Sequence, residues 1–184
     1  VDQNGDHRID SKDRVALGSA APDFFGGFYT QFKYKGFALG AEFSYSKGNM
    51  AYNAVRNQLE GMNTLGNQSI AVLNRWSLDG QVTNMPRVQH NDPYRSTSFS
   101  ERWLEDASYL RMKSVTLSYS FDKTVLNFFR SGTLYVSGEN LLTATKYLGL
   151  DPEFSSSYGE TSQGLDYAKM VQPKSVKFGV NLKF

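Results

Sequence analysis

Apolar and polar positions alternate without a break over the last ten residues, with Val176, Phe178, Val180, Leu182 and Phe184 in one register and Lys177, Gly179, Asn181 and Lys183 in the other. A period of two predicts a strand with one apolar and one polar face. The same division recurs upstream. Phe28, Thr30, Phe32 and Tyr34 alternate with Tyr29, Gln31 and Lys33, a Lys35-Gly36 turn follows, and Phe37, Leu39, Ala41, Phe43 and Tyr45 alternate with Ala38, Gly40, Glu42 and Ser44. That is the pattern of a hairpin. A further strand is expected over 107–121, where Val115, Leu117, Tyr119 and Phe121 oppose Ser114, Thr116, Ser118 and Ser120. Another is expected over 133–141, where Leu134, Val136 and Gly138 oppose Tyr135, Ser137 and Glu139. Five strands result.

The connections between these strands differ in length. Roughly sixty residues, 46–107, separate the hairpin from the third strand, and 142–173 form a second long connection; such lengths belong to functional or disordered loops rather than filler. Helix-compatible spacing occurs at Tyr52–Leu59 and Asn67–Trp76, punctuated by Gly61, Gly66, Gly80 and Pro86. Arg75, Trp76, Arg87, His90 and Tyr94 are candidates to line a binding vestibule, alongside the simpler expectation that they pack the loop. The short connections are Lys35-Gly36 and 122–132. Long and short ones alternate, so an antiparallel sheet would carry all the long ones at one end.

Two architectures produce such faces: a sandwich with one solvated face per sheet, and a membrane barrel with a lipid face and a polar lumen. No apolar run approaches the length of a membrane-spanning helix, so any crossing must use strands, for which about 9–11 tilted residues suffice. Aromatic residues make up 14% of the chain, with 11 Tyr, 13 Phe and 2 Trp, as ring girdles at a membrane interface require. The alternation of loop lengths also favours a barrel, because bacterial barrels have short periplasmic turns and long extracellular loops. With the last strand ending on the periplasmic side, 142–173 and 46–107 would lie outside. On this reading Val115, Leu117, Tyr119, Val176, Phe178, Val180 and Leu182 face lipid, and Ser114, Thr116, Lys177, Asn181 and Lys183 face the lumen. Arg111 and Lys113 fall in the apolar register, a place long basic side chains tolerate only near headgroups. Five strands cannot close a barrel, so further strands are expected from outside this chain.

Charge and chemistry narrow the function. A net charge of +2, with basic residues scattered among acidic ones, excludes a nucleic-acid footprint. The absence of cysteine fits passage through an oxidising compartment without disulfides and decides little else. Val1 is not an initiator methionine and no basic-then-apolar leader follows it, so the chain is expected to be part of something longer. Asp2, Asn4, Asp6, Asp10 and Asp13 occupy the first, third, fifth, ninth and twelfth positions of a calcium loop, with the Arg8 carbonyl at the seventh and Ile9 as apolar anchor. His7 stands where that loop normally has Gly. A surface Asn-Gly turn is the alternative reading. Catalysis is not expected: His7 and His90 are the only imidazoles, no serine sits in a Gly-x-Ser-x-Gly setting, and Asp151 and Glu153 read as loop residues without a facing carboxylate.

A run of motifs carries a resemblance across nearly the whole chain. Asp-x-Asn-Gly-Asp-x-x-Ile-Asp-x-x-Asp before Arg14, Ala21-Pro22, Gly26-Gly27 and Tyr34-Lys35-Gly36-Phe37 come first. Arg75-Trp76, Met85-Pro86-Arg87, Ser108-Tyr109-Leu110-Arg111-Met112-Lys113, Ser137-Gly138-Glu139-Asn140-Leu141, Thr145-Lys146-Tyr147 and Gly149-Leu150-Asp151-Pro152-Glu153 follow in order. Together they resemble the C-terminal region of SusC/RagA-like TonB-dependent transporters, with His7 in place of the family's usual Gly. The resemblance implies an all-β fold: the C-terminal portion, about five antiparallel strands, of a transmembrane barrel of roughly twenty-two strands with a plugged lumen. Two units are then expected, an extracellular, acidic, calcium-loop-like segment over 1–23 and the barrel strands and loops over 24–184. The implied function is import of oligosaccharides or peptides across the bacterial outer membrane, with a SusD-like surface lipoprotein as lid and TonB as energy source through segments not in this chain. The alternative is a structural subunit of a larger outer-membrane assembly. Ca²⁺ is the one cofactor implied, and Val176, Phe178, Val180, Leu182 and Phe184 resemble the terminal signal read by the barrel-assembly machinery.

Overall fold

The computed structural model describes residues 2–7, 10–93, 95–122, 130–154 and 163–184. Its main feature is one open antiparallel sheet. Strand β1 (Phe24–Tyr34) pairs along its whole length with β2 (Phe37–Lys47). The two-residue turn between them has φ of 44° at Lys35 and 86° at Gly36, the left-handed pair that matches the twist of a tight hairpin. At Gly36 a Cβ would lie 2.7 Å from the Ser120 carbonyl oxygen, so no larger residue fits. Strand β2 continues to β5 (Tyr109–Asp122), β5 to β6 (Ser131–Thr145), and β6 to β8 (Ser175–Lys183). The order β1-β2-β5-β6-β8 leaves β1 and β8 as edges.

Register sorts the side chains as the alternation predicts. Phe28 lies opposite Phe43, Ala41 opposite Val115, Leu117 opposite Val136, and Val136 opposite Phe178, all on one face. Ser114, Thr116, Ser137, Lys177, Asn181 and Lys183 occupy the other. The rings of Phe28 and Phe43 stack with centroids 4.8 Å apart. Small residues on the polar face make room for rings: a Cβ at Gly179 would fall 2.2 Å from Tyr135, which lies across it.

Strands β2 and β6 run past their expected ends while β5 begins two residues later than expected, so the long connections are 48–108 and 146–174. They also hold structure that periodicity missed. Strand β3 (Met50–Asn53) pairs antiparallel with β4 (Leu104–Asp106) and parallel with β7 (Leu165–Asp166). Helix α1 (Ala54–Glu60) is capped by Asn53, whose side-chain oxygen accepts from the Arg56 N–H at 2.8 Å. A 3₁₀ turn covers Ile70–Asn74, within one of the two helix-compatible stretches.

The connections 48–108 and 146–174 together form a cap, and it is this cap and not the sheet that holds the hydrophobic core. Among the described residues the buried apolar side chains are Ala51, Met62, Val72, Met85, Trp103, Ala107 and Tyr147, none of them in the five-stranded sheet. The apolar sheet face is open instead, with Phe178 81% and Val180 58% exposed.

One expectation is overturned. Arg111 does not share the apolar face. Between Glu42 and Phe43 the register on β5 jumps from Ser114 to Met112, leaving Lys113 as an extra residue, a β-bulge. A one-residue insertion exchanges the faces beyond it. Leu110 and Met112 therefore join Tyr45 and Phe43 on the apolar side, and Arg111 lies opposite Ser44 and Thr143 on the polar side. The adjoining stretch of β6 carries its own irregularity, with Asn140 at φ 52°.

Candidate functional site

Among the described residues the polar face is covered only at the end where the long connections emerge, and Arg111 is the point of attachment. Its guanidinium pairs with Asp151, and with Glu153 Oε2 at 2.9 Å, while Nε donates to Thr143 Oγ1 at 3.1 Å. Lys113, the bulge residue, reaches Glu153 at 2.8 Å. Two cations thus balance two carboxylates, with Arg111 itself buried at 4% exposure. Asp151 also accepts from the backbone N–H of Glu153 at 2.9 Å and of Gln172 at 3.2 Å. Burial alone would raise the Asp151 carboxyl, but Arg111 and these two N–H donors outweigh it and hold it below the usual range. Both arms of the 146–174 connection are in this way tied to one strand of the sheet.

The cap above this attachment has a second charged network. Arg56 pairs with Glu60 at 2.9 Å and with Glu105 at 2.6 Å, and Glu105 accepts from the Leu148 N–H at 2.8 Å. The guanidinium groups of Arg56, 5.5 Å away, and Arg102, 4.9 Å away, both lie over the Trp103 ring, a cation–π arrangement in a desolvated place. The Tyr147 hydroxyl donates to Asp166 at 2.6 Å, and burial together with that carboxylate pushes its pKa well up. Tyr147 stays a neutral donor joining the start of the 146–174 connection to β7 within it.

Between cap and polar face lies a recess of about 520 Å³. Phe25, Tyr109 and Phe154 supply aromatic surface there, and Asn49, Gln163 and Glu153 supply polar groups. Flat rings beside amide and carboxylate groups form a surface that takes polar, hydroxylated or peptide-like molecules. The vestibule residues expected from sequence lie elsewhere. Arg75 and Trp76 sit against Met85 in the 70–87 segment, Arg87 stacks over Trp76 at 5.7 Å, and His90 is exposed. Tyr94 lies outside the described residues.

The acidic segment folds as a tight turn. Asp2 accepts from the N–H groups of Gly5 at 2.7 Å and His7 at 2.9 Å, and Asp13 accepts from those of Gln3 and Asp10, both at 2.7 Å. Those two donors hold the Asp13 carboxyl below its ordinary value. His7 takes the left-handed conformation, φ 62°, that its position demands and that glycine would take without strain. Asn4, Asp6 and Asp10 bond within the same turn, and Arg8 lies outside the described residues. Among the described residues no group of three or more His, Cys, Asp or Glu is placed to hold a metal ion.

Comparison with known proteins places this geometry. The chain matches no protein-family model. Along its full length it is 32% identical to TonB-dependent receptor P3 of Formosa agariphila and 26% identical to TonB-dependent receptor SusC of Bacteroides thetaiotaomicron, covering 18% and 17% of those proteins. A solved structure of the RagAB peptide transporter superposes on 96% of the chain with a TM-score of 0.77 and 28% identity, the match covering 19% of that chain. The RagAB peptide importer in its open-open state superposes on 91% of the chain with a TM-score of 0.71. The chain spans about a fifth of the length of the curated relatives it matches. These relatives are receptors and transporters, not enzymes, in keeping with the reading that this chain is not catalytic.

Proposed function

Because this chain belongs with the SusC/RagA-like TonB-dependent transporters, which match it from end to end, we propose that it forms wall and outer mouth of a barrel that imports oligosaccharides or peptides across the bacterial outer membrane. In this reading β1, β2, β5, β6 and β8 cross the membrane. The cap and the acidic turn stand outside, where a SusD-like lipoprotein closes over the mouth, and TonB acts through parts of the transporter not in this chain. The observation that carries the proposal is the uncovered apolar face. A sandwich would pack a second layer on it, whereas here the connections fold over the polar face and leave Phe28, Phe178 and Val180 bare. Lipid is the natural cover. The test is a pair of substitutions in the full transporter. Val180→Arg should cost about 2–4 kcal/mol of stability in the membrane if that position is near the midplane, and Asn181→Arg, one residue away in the lumen register, should cost little. Equal costs would remove the assignment.

We also propose that Asp2, Asn4, Asp6, Asp10, Asp13 and the Arg8 carbonyl take up one structural Ca²⁺. The ligand spacing and the left-handed turn at His7 support it; the carboxylates now serve as caps for backbone N–H groups and would have to turn inward. Calcium titration of the transporter, followed by calorimetry, should show a site that Asp2→Asn with Asp13→Asn removes. No heat at millimolar calcium would refute it.

A further inference from the structure

At the cap end of the sheet a second recess of about 530 Å³ is lined mainly by residues of the apolar face, with Ser46, Tyr109 and Thr145 from the polar register at its border. Register places its parts. Phe24 lies opposite Lys47, Tyr45 opposite Leu110, and Leu110 opposite Ala144, so Phe24, Tyr45, Lys47, Leu110 and Ala144 share the apolar face. Lys146, two residues past Ala144, lies at the same rim and lines the same recess. Its floor is apolar, and Phe24 and Tyr45 meet edge to face with centroids 6.1 Å apart at its side.

The charge at this rim is unbalanced. Asp106 lies 3.9 Å from Lys47 and already accepts from the N–H and hydroxyl of Ser108. Lys146 makes no ion pair among the described residues. Two ammonium groups therefore share one carboxylate at the edge of a surface that otherwise seeks hydrocarbon. On a lipid-facing wall such an edge lies at headgroup level, where a phosphate restores neutrality and an acyl chain can follow the exposed apolar strip over Leu110 and Leu142.

We infer that this recess is a binding site for one phosphorylated lipid of the outer leaflet, its phosphate held between Lys47 and Lys146. The inference rests on the membrane-wall reading. The full transporter is placed in nanodiscs of phosphatidylcholine containing monophosphorylated lipid A, and the lipid A retained after gentle release is counted by native mass spectrometry. Lys47→Gln with Lys146→Gln should lower retention about thirtyfold, since each lysine near a charged headgroup layer contributes about fivefold and the two factors multiply. Lys183→Gln, on the polar face at the far end of β8, should leave retention unchanged. Undiminished retention in the double variant, or equal retention of a phosphate-free glycolipid, would overturn the site. A wild-type protein that never enters the nanodisc would overturn the wall reading instead, and the site with it.

Discussion

Arg111 shows how much one side chain can organise. Taken from the alternation alone it sits on the wrong face; in the folded chain it is the buried counter-charge for Asp151 and Glu153, some forty residues later. Isolating a buried carboxylate typically costs about 3–5 kcal/mol. Arg111→Met should approach that figure, discounted because Glu153 is 27% exposed and keeps Lys113. The loss should be local. Hydrogen exchange is expected to rise at Glu153 and Gln172, whose N–H groups depend on Asp151, with little change at the paired centre of β6 and β8. Uniform deprotection of the sheet would contradict the assignment of Arg111 as an anchor of the 146–174 connection.

At the scale of elements, the strands depend on where side chains are missing. Gly27 and Gly179 both lie in the polar register but meet different neighbours: a Cβ at Gly27 would lie 2.8 Å from the Phe43 carbonyl oxygen, while at Gly179 it meets the outer end of the Tyr135 ring. Backbone cannot step aside, and a ring can. Gly27→Ala should therefore cost about 1–3 kcal/mol, as overpacking does, and Gly179→Ala less than about 1 kcal/mol, as measured by denaturant unfolding from detergent. Strand β8 carries a separate expectation. Its apolar register of Val176, Phe178, Val180 and Leu182 is followed by Phe184, 84% exposed, and deleting Phe184 should reduce the fraction of transporter reaching the outer membrane. Normal membrane levels would show that the terminal aromatic has no part in assembly.

The whole molecule is two structures of opposite design. Among the described residues the sheet buries no apolar side chain and, on the membrane-wall proposal, relies on lipid for cover; the cap buries Trp103, Ala51, Ala107 and Tyr147 as any aqueous domain does. Damage to one should spare the other. Trp103→Ala removes a ring buried to 1% exposure and in contact with two guanidinium groups, and should cost the cap about 3–5 kcal/mol. Protease sites in 48–108 should then open while the strands keep resisting heat in detergent. If the barrel itself lost its heat resistance, the separation of cap and wall would be wrong.

The sequence by itself determined the five strands, their faces and the grouping of both long connections at one end, because a period of two is local chemistry that each strand carries independently. It also carried the resemblance to TonB-dependent transporters, through motifs spread over the chain. Tertiary structure decided the rest. The bulge at Lys113 leaves no mark in a hydropathy pattern that reads equally well without it, yet it moves Arg111 through the sheet. The Arg111–Asp151 pair and the β3–β7 pairing join residues far apart in the chain, which no periodicity encodes. The cap's core likewise comes from single residues such as Met62, Met85 and Trp103, each unremarked in its own neighbourhood and apolar surface only when the connections close on one another.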